Sequence, residues 1–119
     1  MAMNLNEVTY SGGVPVDGYG PGHWTLQGRR WEGALLVLPS GPVAWTPGDA
    51  APILAAAGSI DVLLLGTGAE MAHAPAAFRE ALEAAGIGVE TMASPQAART
   101  YNVLLGEGRR VAVALTPLD

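Results

Sequence analysis

Residues 61–71 read DVLLLGTGAEM, an apolar strand pattern running into Gly66-Thr67-Gly68. Two glycines one residue apart after a strand begin the dinucleotide fingerprint G-x-G-x-x-G. There the first glycine makes the tight turn, the second admits the pyrophosphate, and the third lets helix pack on strand. Glu90 falls about where a ribose-binding carboxylate belongs. Met71 occupies the place of the third glycine, where it would crowd helix against strand. The next helix signal, Pro75, comes nine residues after Gly66, so no helix N-terminus opens on the loop. Too little chain follows for a full dinucleotide domain, and the absence of Gly-Lys-Ser/Thr excludes a P-loop. The motif therefore reads as a tight strand exit whose glycines take backbone angles other residues avoid. The alternative is an anion or small-ligand seat made of loop N–H groups, with hydroxyls from Thr67 and Ser94.

Other groups offer less. His23 and His73 lack a second histidine or a carboxylate four residues on, so no metal spacing is present. His73 near Glu70 has the types of a base and its orienter, or is an exposed loop histidine. Ser11, Ser40, Ser59 and Ser94 lie in turns or caps, and no G-x-S-x-G elbow occurs. Glu80 and Glu83 share one helix face, a solvated pattern. The chain has no cysteine, which removes disulfides, thiolate nucleophiles and zinc–thiolate sites. Thr100 and Asn102 sit mid-helix beside an apolar stripe and must find partners, either a neighbouring loop or a ligand or partner protein. Trp24, Trp31 and Trp45 gather in the N-terminal half; tryptophans fill cores and anchor interfaces, so Trp24 and Trp45 are candidate interface residues.

The elements that position these groups follow from periodicity. SGGVPVDGYGPG breaks any regular pattern, so an irregular arm over residues 1–13 is expected before one domain over 14–119. HWTLQG, then Arg29-Arg30, then WEGALLVLP predict strand, turn and strand. The apolar run 35–38 predicts a strand covered on both faces, and PVAW a short strand after Pro39-Ser40-Gly41. Asp49 is an expected N-cap, with Pro52 in the first turn of a helix that Gly58 stops. Residues 59–65 predict a strand. Pro75 opens a helix with Phe78, Ala81, Leu82 and Ala85 on one stripe. IGVETM is the next strand. Ser94-Pro95 predicts an N-cap followed by proline, opening a helix to about Leu105 that carries Ala98, Tyr101 and Leu105 on one face. Residues 110–115 form the last strand. Helical crossovers between strands imply parallel pairing and right-handed connections, hence an α/β fold with a mixed sheet and helices on its faces.

Composition narrows the function classes. Of 119 residues, 50% are hydrophobic and 14% charged, which describes a filled core and not a disordered chain. Net charge is −5, lysine is absent, and six arginines are scattered, a poor pattern for holding a phosphate backbone, so no nucleic acid is expected. The longest apolar run is far too short to cross a bilayer, and MAMNLNEVTY lacks a secretory pattern. A soluble, cytoplasmic protein without an integral membrane segment is expected.

Four stretches also occur in a known order: EGALLVLPSGPVAW, LLLGTG, SPQAARTYNVLLGEGRRV and ALTP. Together they resemble the small α/β domain family that includes mitochondrial respiratory complex I assembly factor 3, over roughly residues 14–117. The resemblance implies a single three-layer domain with a central mixed β-sheet and helices packed on it. It implies a non-enzymatic role: binding protein partners, membrane-complex subunits among them, during assembly, with no cofactor and with peripheral association at the inner membrane. The chain lacks a mitochondrial presequence, so a bacterial relative is expected. No catalytic residue carries over. Gly66, Thr67, Gly68, Thr100 and Asn102 match the motif and are the residues expected at a shared pocket or contact surface.

Overall fold

The computed structural model describes residues 10–119. Part of the expected N-terminal arm, residues 1–9, lies outside the described residues. The chain first makes a three-stranded antiparallel meander, β1 (Gly18–Gly20), β2 (His23–Leu26) and β3 (Arg29–Glu32). The turn between β2 and β3 falls at Gln27-Gly28, with φ of 52° and 75°. Positive φ at both central residues suits a two-residue hairpin, because that turn's twist matches the strands' own. Asp17 Oδ2 accepts the Gln27 N–H at 2.9 Å and holds the turn. Arg29 and Arg30, expected in the turn, therefore lie on strand β3.

Next come β4 (Leu35–Leu38), β5 (Gly41–Ala44) and a single helical turn, α1 (Ala51–Leu54). The expected helix to Gly58 is not formed. Asp49 Oδ1 accepts the Ala51 N–H at 3.1 Å, but past Leu54 the N–H groups of Ala56, Ala57 and Ser59 reach carbonyls three residues back. Only Ile53 is buried there, and alanines give a longer helix too little packing to hold it.

The remainder alternates strand and helix: β6 (Val62–Gly66), α2 (Ala76–Ala84), β7 (Gly88–Met92), α3 (Ser94–Gly106) and β8 (Val111–Leu115). The five-stranded sheet has the order β5-β4-β8-β6-β7, with β6 parallel to both β7 and β8, and β4 antiparallel to β5 and β8. The chain steps outward from β6 to β7 and then back across β6 to β8. Right-handed crossovers in opposite directions put their helices on opposite faces.

Strand alternation fills both faces. Leu35, Val37, Leu64, Val111, Val113 and Leu115 join Ala98, Tyr101 and Leu105 of α3, with Trp24 and Leu26 of the meander, in one core. Leu36, Leu38, Leu63, Leu65, Ala112 and Ala114 join Phe78 and Leu82 of α2, with Ile53 and Trp45, in the other. The layers are thus α3 plus meander, sheet, and α1 plus α2. This is the mixed-sheet α/β architecture with helices on its faces that the sequence predicts, in the three layers that the family resemblance implies.

Both sheet edges are blunted. Pro42 on β5 offers no N–H, and Arg79 of α2 donates to the Val89 carbonyl of β7 at 2.9 Å. Edges of this kind resist strand addition.

Candidate functional site

The strand exit at Gly66-Thr67-Gly68 sits where three parallel strands end beneath the start of α3. Gly66 closes β6, paired with Met92 of β7 and Leu115 of β8. A Cβ at Gly66 would lie 2.8 Å from both Cα and Oγ of Ser94 and 3.1 Å from a Leu115 methyl. Gly66 is therefore required by close approach. Gly68 is required by its backbone, at φ +101°.

Ser94 is fully buried and joins these pieces. Its Oγ accepts the Gly68 N–H at 2.8 Å and donates to the Thr116 carbonyl at 2.7 Å, while its own N–H reaches the Gly68 carbonyl at 2.7 Å. It does not cap α3 as expected. The residue before the helix is Ala93, with φ −59° and ψ 146°, and no side chain caps the first turn. Ser94 lies one position inside, where its hydroxyl turns across to the strand ends.

Thr67 is similarly occupied. Its N–H donates to the Met92 carbonyl at 3.0 Å, and its hydroxyl donates to the Glu70 carbonyl at 2.7 Å and accepts the Ala72 N–H at 2.9 Å. The amides of Thr67 and Gly68 are thus already bonded within the fold. Glu90 pairs with Leu64 in the middle of β7, two residues short of the level of Gly66, and Met71 is exposed in the loop before α2. The loop is the tight strand exit expected, with no dinucleotide geometry.

Asn102 and Thr100 lie elsewhere. Eight residues of helix separate Ser94 from Asn102, roughly 12 Å at 1.5 Å per residue. Asn102 Oδ1 accepts the Val16 N–H at 2.9 Å, and Nδ2 donates to the Val16 carbonyl at 2.7 Å. Tyr101 donates its hydroxyl to the Val14 carbonyl at 2.8 Å. Burial pushes the Tyr101 phenol well above its ordinary value of 10.0, so it remains a donor. Together these side chains clamp the segment leading into β1 onto α3. The sequence marks Asn102 as needing a partner; the hydroxyl contact of Tyr101, one of the apolar-stripe residues, is not visible in it. Thr100 is half-buried beside them.

Two clefts flank the clamp. One of about 350 Å³ lies among Tyr10, Asn102, Val103, Gly106 and Glu107. The other, about 200 Å³, lies between Asp17 and Tyr19 on one side and Pro95, Arg99 and Asn102 on the other. Asn102 lines both clefts and Thr67 lines neither.

The tryptophans are corrected too. Trp24 is completely buried and Trp45 is 7% exposed, so neither presents its indole to a partner. Trp24 faces inward from β2 against α3, and Trp45 packs on Phe78 with its N–H donated to the Asp49 carbonyl at 2.9 Å. Large apolar groups at the surface are instead Val103, Met71 and Tyr19, at 59%, 54% and 47% exposure. Among the described residues, no three of histidine, aspartate or glutamate gather as a metal site.

This geometry defines a class, the Mth938-like α/β domain. A Bordetella pertussis protein whose solution structure is described as such a domain superposes with a TM-score of 0.76 at 31% identity, covering 98% of this chain and 92% of that one. The crystal structure of an outer membrane protein from Bartonella henselae gives a TM-score of 0.85 at 33% identity, covering 93% of this chain and all of that one. More particularly, the chain belongs to the family described as "Protein of unknown function (DUF498/DUF598)", whose model matches residues 16–116. An uncharacterised protein of Rhodobacter capsulatus is 45% identical over 117 residues, covering 98% of this chain and 94% of that one. NADH dehydrogenase [ubiquinone] 1 alpha subcomplex assembly factor 3 of Danio rerio is 34% identical over 124 residues, covering 98% of this chain and 71% of that protein. The Homo sapiens assembly factor 3 is 29% identical over 110 residues, and the match spans 60% of its length.

Proposed function

We propose that this protein is a non-enzymatic binding module that assists assembly of respiratory complex I. The observation that carries this reading is the 34% identity to the Danio rerio assembly factor over 98% of the chain. The match takes in nearly all of this chain and 71% of that relative. The site geometry supports binding over catalysis, because the hydroxyls of Thr67 and Ser94 and the amides of Thr67 and Gly68 are all taken up by hydrogen bonds within the fold. What the domain offers outward is surface: apolar groups at Val103, Met71 and Tyr19 on an acidic chain of net charge −5. Of these, Val103 borders the cleft of about 350 Å³ beside Asn102. Among the described residues no helix is long and apolar enough to cross a membrane. On this reading the domain works from the cytoplasm and touches the inner membrane through its partners.

The test is affinity purification of the tagged chain from its native cell, with mass spectrometry, beside deletion of its gene. Recovery of complex I subunits or precursors, and depletion of the mature complex on native gels after deletion, is the expected result. Recovery of nothing above background, or full complex I levels after deletion, would overturn it.

A further inference from the structure

The meander and the β4–β5 turn enclose a third cleft, of about 360 Å³, lined by Gln27, Arg29, Trp31, Ser40 and Pro42 among others. The Arg29 guanidinium lies over the Trp31 ring, 4.1 Å from its centroid. Arg30, its neighbour, pairs with Glu32, and Arg110 with Asp61; among the described residues Arg29 has no carboxylate partner. The Asp17 carboxylate is directed to the Gln27 backbone N–H at the hairpin turn and does not line the cleft. A guanidinium stacked on an indole keeps its in-plane N–H fork free for an acceptor.

From this we infer that the cleft binds a carboxylate borne next to an apolar side chain on a partner polypeptide. The inference deepens the partner-binding reading and rests on it for the polypeptide. The charge count selects the ligand. One planar guanidinium matches one carboxylate in a two-bond fork, whereas a phosphate dianion in an acidic protein calls for more cations than the single Arg29 found here. Trp31 and Pro42 supply the apolar wall for the adjoining side chain. The carboxylate can be a glutamate side chain or a chain terminus.

Four probes in solution NMR separate these sources: acetyl-Leu-Glu-Leu-amide, acetyl-Leu-Gln-Leu acid, acetyl-Leu-Gln-Leu-amide and inorganic phosphate. The expected result is saturable movement of the Trp31 indole and Arg29 Nε–H resonances with one or both acids and none with the uncharged amide. Arg29→Ala should weaken the acid's binding about tenfold or more, the usual loss for a hydrogen bond to a charged group. Arg29 is exposed on an edge strand, so the variant keeps the fold, and Arg30→Ala, which changes charge equally outside the cleft, should titrate as wild type. Equal shifts with the uncharged peptide, tighter binding of phosphate, or wild-type titration by Arg29→Ala would each overturn the proposal. Pull-down separates the two readings: a partner captured equally by wild type and Arg29→Ala leaves partner binding intact and removes the cleft from it.

Discussion

The side-chain amide of Asn102 pairs with the main chain of Val16 as a neighbouring strand would, accepting its N–H at 2.9 Å and donating to its carbonyl at 2.7 Å. The two residues are 86 apart in sequence, so this pair, with Tyr101 on Val14, fixes where the chain enters the domain.

Replacing Asn102 by Ala leaves both main-chain groups of Val16 without their protein partner. A cost of about 1–3 kcal/mol is expected. The loss should be local first, seen as faster amide exchange at Val16 while the β6 and β8 amides keep their protection. Unchanged exchange at Val16 would show that the clamp does not hold the segment.

Gly66→Ala should destabilise by about 1–3 kcal/mol, because the added methyl meets backbone at Ser94 and neither strand nor helix can yield alone. Gly68→Ala has open space, its nearest neighbour being a Thr116 methyl at 4.0 Å, and is costly only through its φ of +101°. Urea unfolding gives both costs. NMR distinguishes the causes, since both should disturb Ser94, which is bonded to Gly68, but only the first should displace Leu115 resonances.

Ser94→Ala removes the acceptor for the Gly68 N–H and the donor to the Thr116 carbonyl in a fully buried position. A loss of about 1–3 kcal/mol is expected in denaturant melts. Replacement by Asp, a good helix cap, should not restore stability, because the hydroxyl serves the strand ends and a carboxylate cannot donate to Thr116.

Tyr101 gives an alkaline signature. Its folded-state value is raised above the ordinary 10.0, so its contribution is complete below pH 10. Above that pH the unfolded tyrosine loses its proton while the folded one keeps it, and stability should fall by about 1.4 kcal/mol per pH unit. Tyr101→Phe should be less stable than wild type at neutral pH by about 1 kcal/mol, for the lost bond to Val14. It should also lack that alkaline slope. Parallel slopes for the two proteins in urea melts at rising pH would contradict the assignment.

The sequence by itself determined the layered α/β fold, because burial writes a local pattern. The unbroken apolar run Leu35–Leu38 reads as a strand covered on both faces, residues 59–65 as a further strand, and Phe78 with Leu82 as one face of a helix. It also exposed the missing third glycine at Met71, which separated a strand exit from a nucleotide seat. Tertiary structure decided what each polar group does. Ser94 has the identity of a helix cap, yet the closeness of Gly66 and Thr116 draws its hydroxyl away. Asn102 needs a partner, but only packing brings Val16 to it. Trp24 and Trp45 suit an interface or a core equally well, and the inward side of β2 and the second core settled them. Apolar burial is additive along the chain and so leaves a periodic record, whereas a hydrogen bond depends on which atom arrives within 3 Å, and that is a property of the assembled fold.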